Sequence, residues 1–252
     1  MIKSRYSTVE SLKIMGSASK EQLGPNIDLL LWNVYKCKKK GWHEDFVTLM
    51  TDKDLVLLQE AIVNSPFDSH FKKSIKHQWI MARSFKSIKT NIITGVKTGC
   101  TVAANKYYYS ASKHSEPLSK TKKMLLATFY PLNTHAQSLL VVNSHLINFV
   151  AFEKFKVHLD QVFQTLKNHD GPIILAGDFN TWNKKRLKYF NSLAMLYSLE
   201  EAKMTRQPRL KHLFKHLDHI YCRGLRVVNA HVHTDIHSSD HFPISLSLRI
   251  LD

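Results

Sequence analysis

Short apolar runs bounded by turn residues recur along the chain, and they predict a domain that mixes strands with helices. Continuous apolar runs predict buried strands, whereas apolar residues three and four positions apart predict helices. Buried strands are predicted at residues 29–34, 55–59, 124–129, 139–143 and 173–176, and shorter ones at 219–222 and 227–232. Helices are predicted at 42–50, 152–166 and 187–199. Alternating apolar and polar residues over 244–250 predict a half-buried strand at the C-terminus.

The same pattern divides the chain into a polar N-terminal extension, residues 1–26, and one mixed α/β domain, residues 27–252. The extension is expected to hold one short helix. The longest apolar runs are too short to span a membrane, and the first 26 residues lack an apolar stretch of signal-peptide length. Three scattered cysteines fit a reducing compartment. A cytoplasmic protein is therefore expected, with signal-peptide-independent secretion left open and the oligomeric state undetermined.

Basic residues outnumber acidic residues, and their excess is uneven along the chain. Lysine and arginine total 36 against 20 acidic residues, which gives a formal net charge of +16. Residues 71–125 contain twelve basic residues and one acid, Glu116, and a second basic stretch covers residues 184–226. Because a positive field of this size attracts polyanions, nucleic acid is the expected partner. An anionic lipid surface is a second interpretation, and a merely solubilising surface is a third.

Polar residues that hold metals or move protons in other proteins stand at the ends of the predicted strands. Open α/β sheets place their ligands at strand ends. Any one of these residues alone is more often a turn or cap residue, so the inference depends on the whole set. The set is Asn33, Glu60, His145, Asp178, Asn180, Asp218, Asp240 and His241.

Six short segments around these residues occur in a characteristic order. They are Leu31-Trp32-Asn33-Val34, Leu58-Gln59-Glu60, Asn143-Ser144-His145-Leu146, Gly177-Asp178-Phe179-Asn180-Thr181-Trp182, Leu217-Asp218-His219-Ile220 and Ser238-Ser239-Asp240-His241-Phe242-Pro243. With these segments the chain, from about residue 27 to residue 250, resembles the endonuclease/exonuclease/phosphatase superfamily. That group includes pancreatic-type deoxyribonucleases, exonuclease-III-like repair nucleases, sphingomyelinases and inositol-polyphosphate phosphatases. The resemblance implies a four-layer α/β sandwich, in which two packed mixed β-sheets are flanked by helices, and metal-dependent hydrolysis of a phosphate ester.

The resemblance also implies a metal site. Glu60 is the implied main ligand, with Asn33 and Asp240 close by. Magnesium takes oxygen ligands and keeps several waters, so one or two carboxylates suffice to bind it. Mg²⁺ is therefore the expected cofactor, and Mn²⁺ is an expected substitute.

Catalytic roles follow for the remaining residues by the same resemblance. His241 is implied as the general base, or as a donor to the phosphate, and Asp218 would fix its tautomer. Asp178 would orient the water or contact a second metal. Asn180 would donate to a non-bridging oxygen, and His145 would stabilise the phosphoryl group or the leaving oxygen. Arg186 lies shortly after the Gly-Asp-Phe-Asn segment and is the candidate for contact with a substrate phosphate.

Two departures from the family pattern bear on the branch to which the chain belongs. Deoxyribonuclease-type members place a carboxylate behind the histidine that matches His145, and no matching motif is found here. Inositol-phosphatase members usually show Trp before the Gly-Asp-x-Asn motif and Arg after it, where this chain has Ala176 and Thr181-Trp182. The second departure counts against the inositol-phosphatase branch, and the full catalytic set together with the basic stretch 71–125 favours a metal-dependent nuclease. A phospholipid or phosphoinositide phosphohydrolase of the same fold and a non-catalytic nucleic-acid-binding protein are the alternatives.

Overall fold

Two mixed β-sheets pack face to face, and helices cover their outer faces. The structure is a computed structural model that describes residues 5–64, 68–134, 136–204 and 217–251. The strands are β1 (Tyr6–Met15), β2 (Asn26–Asn33), β3 (Leu55–Val63), β4 (Gln78–Ser87), β5 (Ile93–Cys100), β6 (Lys106–Ala111), β7 (Met124–Tyr130), β8 (Leu139–His145), β9 (Ile173–Asp178), β10 (Glu200–Glu201), β11 (Asp218–Arg223), β12 (Leu225–Val232) and β13 (Ile244–Ile250). The α-helices of the described residues are α1 (Trp42–Met50), α2 (Asp68–Lys72), α3 (Phe152–Gln164) and α4 (Lys184–Leu196).

The period of two along the central strands produces the layers. In β2, Leu29 and Leu31 face the second sheet, whereas Leu30 and Trp32 face α1 and α2. Strands β8 and β9 alternate in the same way between the other sheet and the helices α3 and α4. A strand that is buried on both faces reads as a continuous apolar run, and this is why the central strands were predictable. The four-layer sandwich expected from the resemblance is confirmed.

Both sheets have a parallel pair of strands at their centre. The seven-stranded sheet has the order β1-β4-β5-β3-β2-β13-β12, and the six-stranded sheet has the order β10-β11-β9-β8-β7-β6. The β2–β3 and β8–β9 pairs are parallel, and the other neighbouring strands are antiparallel. The carboxyl ends of the parallel pairs therefore lie at one edge of each sheet, next to the starts of β11 and β13.

The N-terminal segment differs from its prediction. The short helix expected within residues 1–26 is wrong, because Tyr6–Met15 form the strand β1, which pairs with β4 at the edge of the seven-stranded sheet. Part of the predicted extension thus belongs to the sheet. The segment 64–78, which showed no regular pattern, contains the short helix α2. Within the described residues, none of the helices is both long and apolar enough to cross a bilayer.

Candidate active site

The polar residues predicted at the strand ends meet at one edge of the sandwich. Asn33 ends β2, His145 ends β8 and Asp178 ends β9, and the last two are register partners in the parallel pair. Asp218 starts β11 directly opposite Asp178, and His241 lies just before β13. The topology therefore brings residues from five separate segments of the chain into one site.

Asp178 is the residue on which the site converges. Its Oδ2 accepts a hydrogen bond from Asn33 Nδ2 at 3.0 Å and lies 3.3 Å from Nε2 of His145 and 3.9 Å from Nε2 of His241. The preceding residue must be glycine, since a Cβ at Gly177 would lie 1.8 Å from the Ser144 carbonyl oxygen. Burial, together with the charge of Asp218, raises the pKa of Asp178 to about 7 against the opposing effect of His241.

His241 and Asp218 form a close ion pair beside Asp178. The distance from His241 Nδ1 to Asp218 Oδ2 is 2.6 Å, so the other ring nitrogen, Nε2, points toward Asp178. Burial alone would lower the pKa of His241, but the carboxylates of Asp218, Asp178 and Asp240 raise it to about 10. The imidazole is therefore protonated in this arrangement, and a fixed N–H faces the site.

Glu60 lies between two lysines and lines a small cavity together with His145, whose ring contacts Asp178. Its carboxylate pairs with Lys36 on one side and lies 3.7 Å from Lys123 on the other. Burial would raise the pKa of Glu60, but Lys123 and Lys36 outweigh it and the pKa is lowered. The cavity is lined by Glu60, Lys123 and His145, among other residues. Glu60 is thus an ionised carboxylate whose charge is balanced by the two ammonium groups.

His145 is a neutral group within the same cavity. Its side chain is buried, and its Nε2 faces Asp178. Burial, followed by the nearby Lys123 and His241, lowers the pKa of His145 well below its ordinary value. One carboxylate, Asp178, therefore lies between a charged and a neutral histidine.

The structure places several predicted residues differently from the expectation. The predicted substrate contact of Arg186 is wrong, because its guanidinium is buried and donates to the carbonyl oxygens of Asn180 and Val150. Asp240 lies next to His241 but is exposed. The amide of Asn180 donates to the carbonyl of Leu146, which fixes its plane.

Both polar atoms of the Asn33 side chain form hydrogen bonds within the protein. Its Nδ2 bonds to Asp178, and its Oδ1 accepts from the backbone N–H of Tyr35 at 3.1 Å. The roles of Asn33 and Asp240 as metal ligands stay predictions.

Other residues of the site were missed from the sequence. Lys36 and Lys123 flank Glu60, but lysine is so frequent in this chain that neither stood out. Behind Glu60, Gln59 Nε2 donates to Asn143 Oδ1 at 2.7 Å across the two sheets. Both of these amide residues stand inside the quoted motif segments, where a polar residue within an apolar strand was the available signal.

A second chain of polar groups runs beneath the loop that follows β9. The buried His219 shares hydrogen bonds of 2.7 Å with Thr181 Oγ1 through Nε2 and with Glu201 Oε1 through Nδ1. Since His219 follows Asp218 and Thr181 follows Asn180, this chain ties together the two segments that carry those site residues.

The donor atoms present fit a divalent cation. One carboxylate oxygen each from Asp178 and Asp218 and one ring nitrogen of His241 lie within 4.8 Å of one another. Since the imidazole is protonated here, the two carboxylates supply the ligand atoms. Asp218 Oδ1 is buried without a hydrogen-bond partner among the described residues. Glu60 is already compensated by two ammonium groups. The carboxylate oxygens of Asp178, Asp218 and Glu60 are the type of ligand found in sites for Mg²⁺ or Mn²⁺.

The two packed sheets with polar residues at one edge define an α/β sandwich, and comparison with known proteins assigns its family. The profile of the Endonuclease/Exonuclease/phosphatase family matches residues 30–241, so the chain belongs to that family. Members of the family are generally divalent-metal-dependent phosphoesterases.

Similar proteins and structures agree with the assignment. The UPF0294 protein of Vibrio parahaemolyticus is 30% identical over 250 residues, which cover 97% of this chain and 85% of the relative. A UPF0294 protein of Photorhabdus laumondii is 32% identical over 218 residues, 86% of this chain and 81% of the relative. The human Nocturnin catalytic domain with bound sulfate superposes with a TM-score of 0.66 at 17% identity, covering 95% of this chain and 97% of that one. The structure of D. rerio TDP2 complexed with single strand DNA product superposes with a TM-score of 0.61 at 16% identity. The match covers 89% of this chain and 99% of that one.

Proposed function

We propose that this protein is a divalent-metal-dependent phosphodiesterase that hydrolyses nucleic acid. The observation that carries the proposal is the contact of Asp178 with His145 and with the His241–Asp218 pair, together with Glu60, which lines the same small cavity as His145. These groups meet the needs of phosphoryl transfer, which are an oriented water, compensation of phosphoryl charge and assistance to the leaving oxygen. The net charge of +16 favours a polyanionic substrate over a small ester.

Each residue of the site takes a role from its position. His241 would donate from Nε2 to a phosphoryl oxygen, and Asp218 holds the ring in the orientation that this requires. Asp178 would accept a hydrogen bond from the attacking water and receive its proton. His145, neutral and buried, would assist on the other side of the phosphate.

The metal would be held by carboxylate oxygens of Glu60 and of the Asp178–Asp218 pair. When bound, Mg²⁺ or Mn²⁺ would supply positive charge to the non-bridging oxygens of the phosphate. Lys36 and Lys123 lie on the two sides of Glu60 and would keep the carboxylate ionised. Lys123 would also add positive charge next to the phosphate.

Similar structures support the choice of nucleic acid without deciding it. The D. rerio TDP2 structure contains a single strand DNA product. Another structure of the same fold is a mannosyl-6-phosphatase of Bacteroides thetaiotaomicron, with a TM-score of 0.66 at 14% identity. The fold therefore does not fix the substrate, and the choice of nucleic acid depends on the net charge of this chain.

A panel of phosphate esters tests the proposal directly. Purified protein is incubated with plasmid DNA, single-stranded DNA, RNA, phosphoinositide vesicles and a sugar phosphate, each with Mg²⁺ and with EDTA. The expected result is Mg²⁺-dependent cleavage of at least one nucleic acid, lost in EDTA and in His241→Ala. Intact nucleic acid together with hydrolysis of a lipid or sugar phosphate would contradict the proposal. Nucleic-acid binding without any hydrolysis would also contradict it.

A further inference from the structure

Two exposed aromatic side chains border the site on the side of the β8 and β9 loops. Phe149 follows β8 by four residues and is 72% exposed, and Trp182 follows β9 by four residues and is 39% exposed. Soluble proteins do carry single exposed apolar residues. Two aromatic rings placed next to one site on adjacent loops require a more specific account. We call Phe149 and Trp182 the aromatic rim.

Asn148 fixes the rim. Its Oδ1 accepts hydrogen bonds from the Phe149 backbone N–H at 2.8 Å and from the Trp182 indole N–H at 3.0 Å. The Arg186 guanidinium lies 4.7 Å from the Trp182 ring. Phe149 has a positive φ of 53°, a conformation that is costly for a bulky residue and concentrated at functional sites. The Trp182 ring is therefore held in a defined orientation, and the backbone of Phe149 is fixed next to it.

A chain of polar contacts connects the rim to the phosphate site. The Asn148 backbone N–H donates to Glu116 Oε1 at 2.9 Å. The same oxygen lies 3.6 Å from Lys123, which lies 3.7 Å from Glu60. On the other loop, Asn180 precedes Trp182 by two residues. The rim is therefore linked to the predicted site residues through both loops.

Positive charge flanks the rim on both sides. Lys184 and Lys185 are exposed in the first turn of α4, directly after Trp182-Asn183. On the other side, the segment that carries Glu116 also carries the exposed Lys113 and Lys120. Aromatic rings between cationic side chains are the arrangement that binds single-stranded nucleic acid, in which bases stack while the backbone is neutralised.

We propose that the aromatic rim stacks on a nucleobase of a single-stranded nucleic acid whose phosphate lies in the site, and that it selects base-bearing phosphodiesters. This rests on the proposed function for the identity of the substrate, but it concerns recognition rather than hydrolysis. A planar partner suits the fixed ring of Trp182 beside Phe149, whereas insertion into a lipid surface requires only apolar area.

Binding tests the proposal without requiring turnover. Affinities for a thymidine oligonucleotide and for an oligomer with the same backbone but abasic sugars are measured by calorimetry with Mg²⁺, in the His241→Ala background. Phe149→Ala is expected to weaken binding of the base-bearing oligomer about tenfold and to leave the abasic oligomer within about twofold. Phe149→Tyr, which keeps a ring, should retain the affinity, and Phe149→Leu, which keeps only apolar area, should lose it.

Met195→Ala provides the matched control. Met195 is 76% exposed on α4, the helix that begins two residues after Trp182. It lies about 16 Å along the helix axis from Lys184, the first residue of α4. This variant should bind both oligomers like the parent. Thermal melting of each variant checks that the fold is intact, and Trp182→Phe, which keeps a ring at the second position of the rim, should retain most of the base preference.

The outcomes separate the rim from the proposed function. The stacking proposal would be overturned if Phe149→Ala weakened the binding of both oligomers equally. It would also be overturned if Phe149→Leu kept the full affinity for the base-bearing oligomer. If retention by Leu is accompanied by Phe149-dependent binding to phosphatidylglycerol vesicles, the rim contacts lipid instead. If the wild type hydrolyses no nucleic acid while the base-dependent binding persists, the rim stands and the nuclease function fails.

Discussion

At the scale of single residues, the protonation and orientation of His241 are set by the carboxylates around it. Its Nδ1 lies 2.6 Å from Asp218, and this carboxylate fixes both the tautomer and the charge of the ring. Sequence motifs identified both residues. The motifs did not indicate that Asp178 would lie between His241 and His145, since that requires β9 and β13 to come from different sheets.

Replacement of Asp218 by Asn should separate positioning from charge. We expect Asp218→Asn to lower kcat about 10- to 100-fold and to lower the pKa of His241, because the main stabilising charge is lost. NMR titration of His241 and steady-state kinetics measure the two effects. Asp52→Asn, at an exposed turn, is the control. An unchanged pKa of His241 would contradict the pairing.

Lys97 gives a prediction of pH dependence. It is fully buried, donates to the Ile62 carbonyl at 3.0 Å and lies 3.3 Å from the centroid of the Phe71 ring. Burial lowers the pKa of Lys97 to about 7, whereas the unfolded chain has an ordinary value near 10.4. Between these values the unfolded state binds more protons, so this group makes stability rise with pH.

Lys97→Met removes that titration. The free energy of unfolding of the variant, relative to the wild type, should be most favourable near pH 7 and fall by on the order of 3 kcal/mol by about pH 9.5. Urea unfolding of both proteins at the two pH values measures the difference. A difference in unfolding free energy that does not change with pH would show that burial does not lower the pKa of Lys97.

At the scale of elements, a bulge in β3 places Glu60. The pairing of β3 with β5 shifts register between Leu58 and Ala61, and Glu60 has a φ of 50°. Asn143 on β8 donates to the carbonyl oxygens of Leu58 and Lys97 at 3.3 and 3.1 Å. The second sheet therefore satisfies carbonyl groups in the strands on both sides of the bulge.

Asn143→Leu should damage both stability and activity. It leaves Gln59 and the two carbonyl groups without their partner in a dry interior, which costs about 2–4 kcal/mol. Without Asn143 the β3 bulge is no longer held in place, so Glu60 should be less well positioned and kcat should fall. Urea unfolding and kinetics measure the two losses. Asn229→Leu, an exposed position on β12, is the control, and a kcat equal to that of the wild type would contradict this role of Asn143.

The elements also show how far the sequence predicts the fold. Central strands such as 173–176 were identified, since burial on both faces leaves a continuous apolar run. Strand β1 was not, because its residues are mostly half-exposed and its pairing with β4 is set by contacts about 70 positions away. The second basic stretch, residues 184–226, begins with α4, and its residues 205–216 lie outside the described part of the chain.

At the scale of the whole molecule, the charge makes affinity for nucleic acid depend on salt. The logarithm of the binding constant for single strands should fall linearly with the logarithm of salt concentration, by about 0.7 per neutralised phosphate. Lys185→Gln, next to the site edge, should reduce this slope by about 0.7. Lys167→Gln, an exposed lysine after α3 at the opposite edge, is the control. Equal slopes for Lys185→Gln and the wild type would contradict a contact there.

The most direct test of the account is a Mn²⁺ titration followed by EPR, with phosphodiester hydrolysis measured in the same samples. The wild type should bind Mn²⁺ and hydrolyse in proportion to its occupancy. Glu60→Gln should bind the ion at least about tenfold more weakly and lose hydrolysis in parallel, whereas Glu21→Gln, at an exposed loop, should match the wild type. Hydrolysis that persists in EDTA, or that is undiminished in Glu60→Gln, would contradict a metal-dependent site built on Glu60.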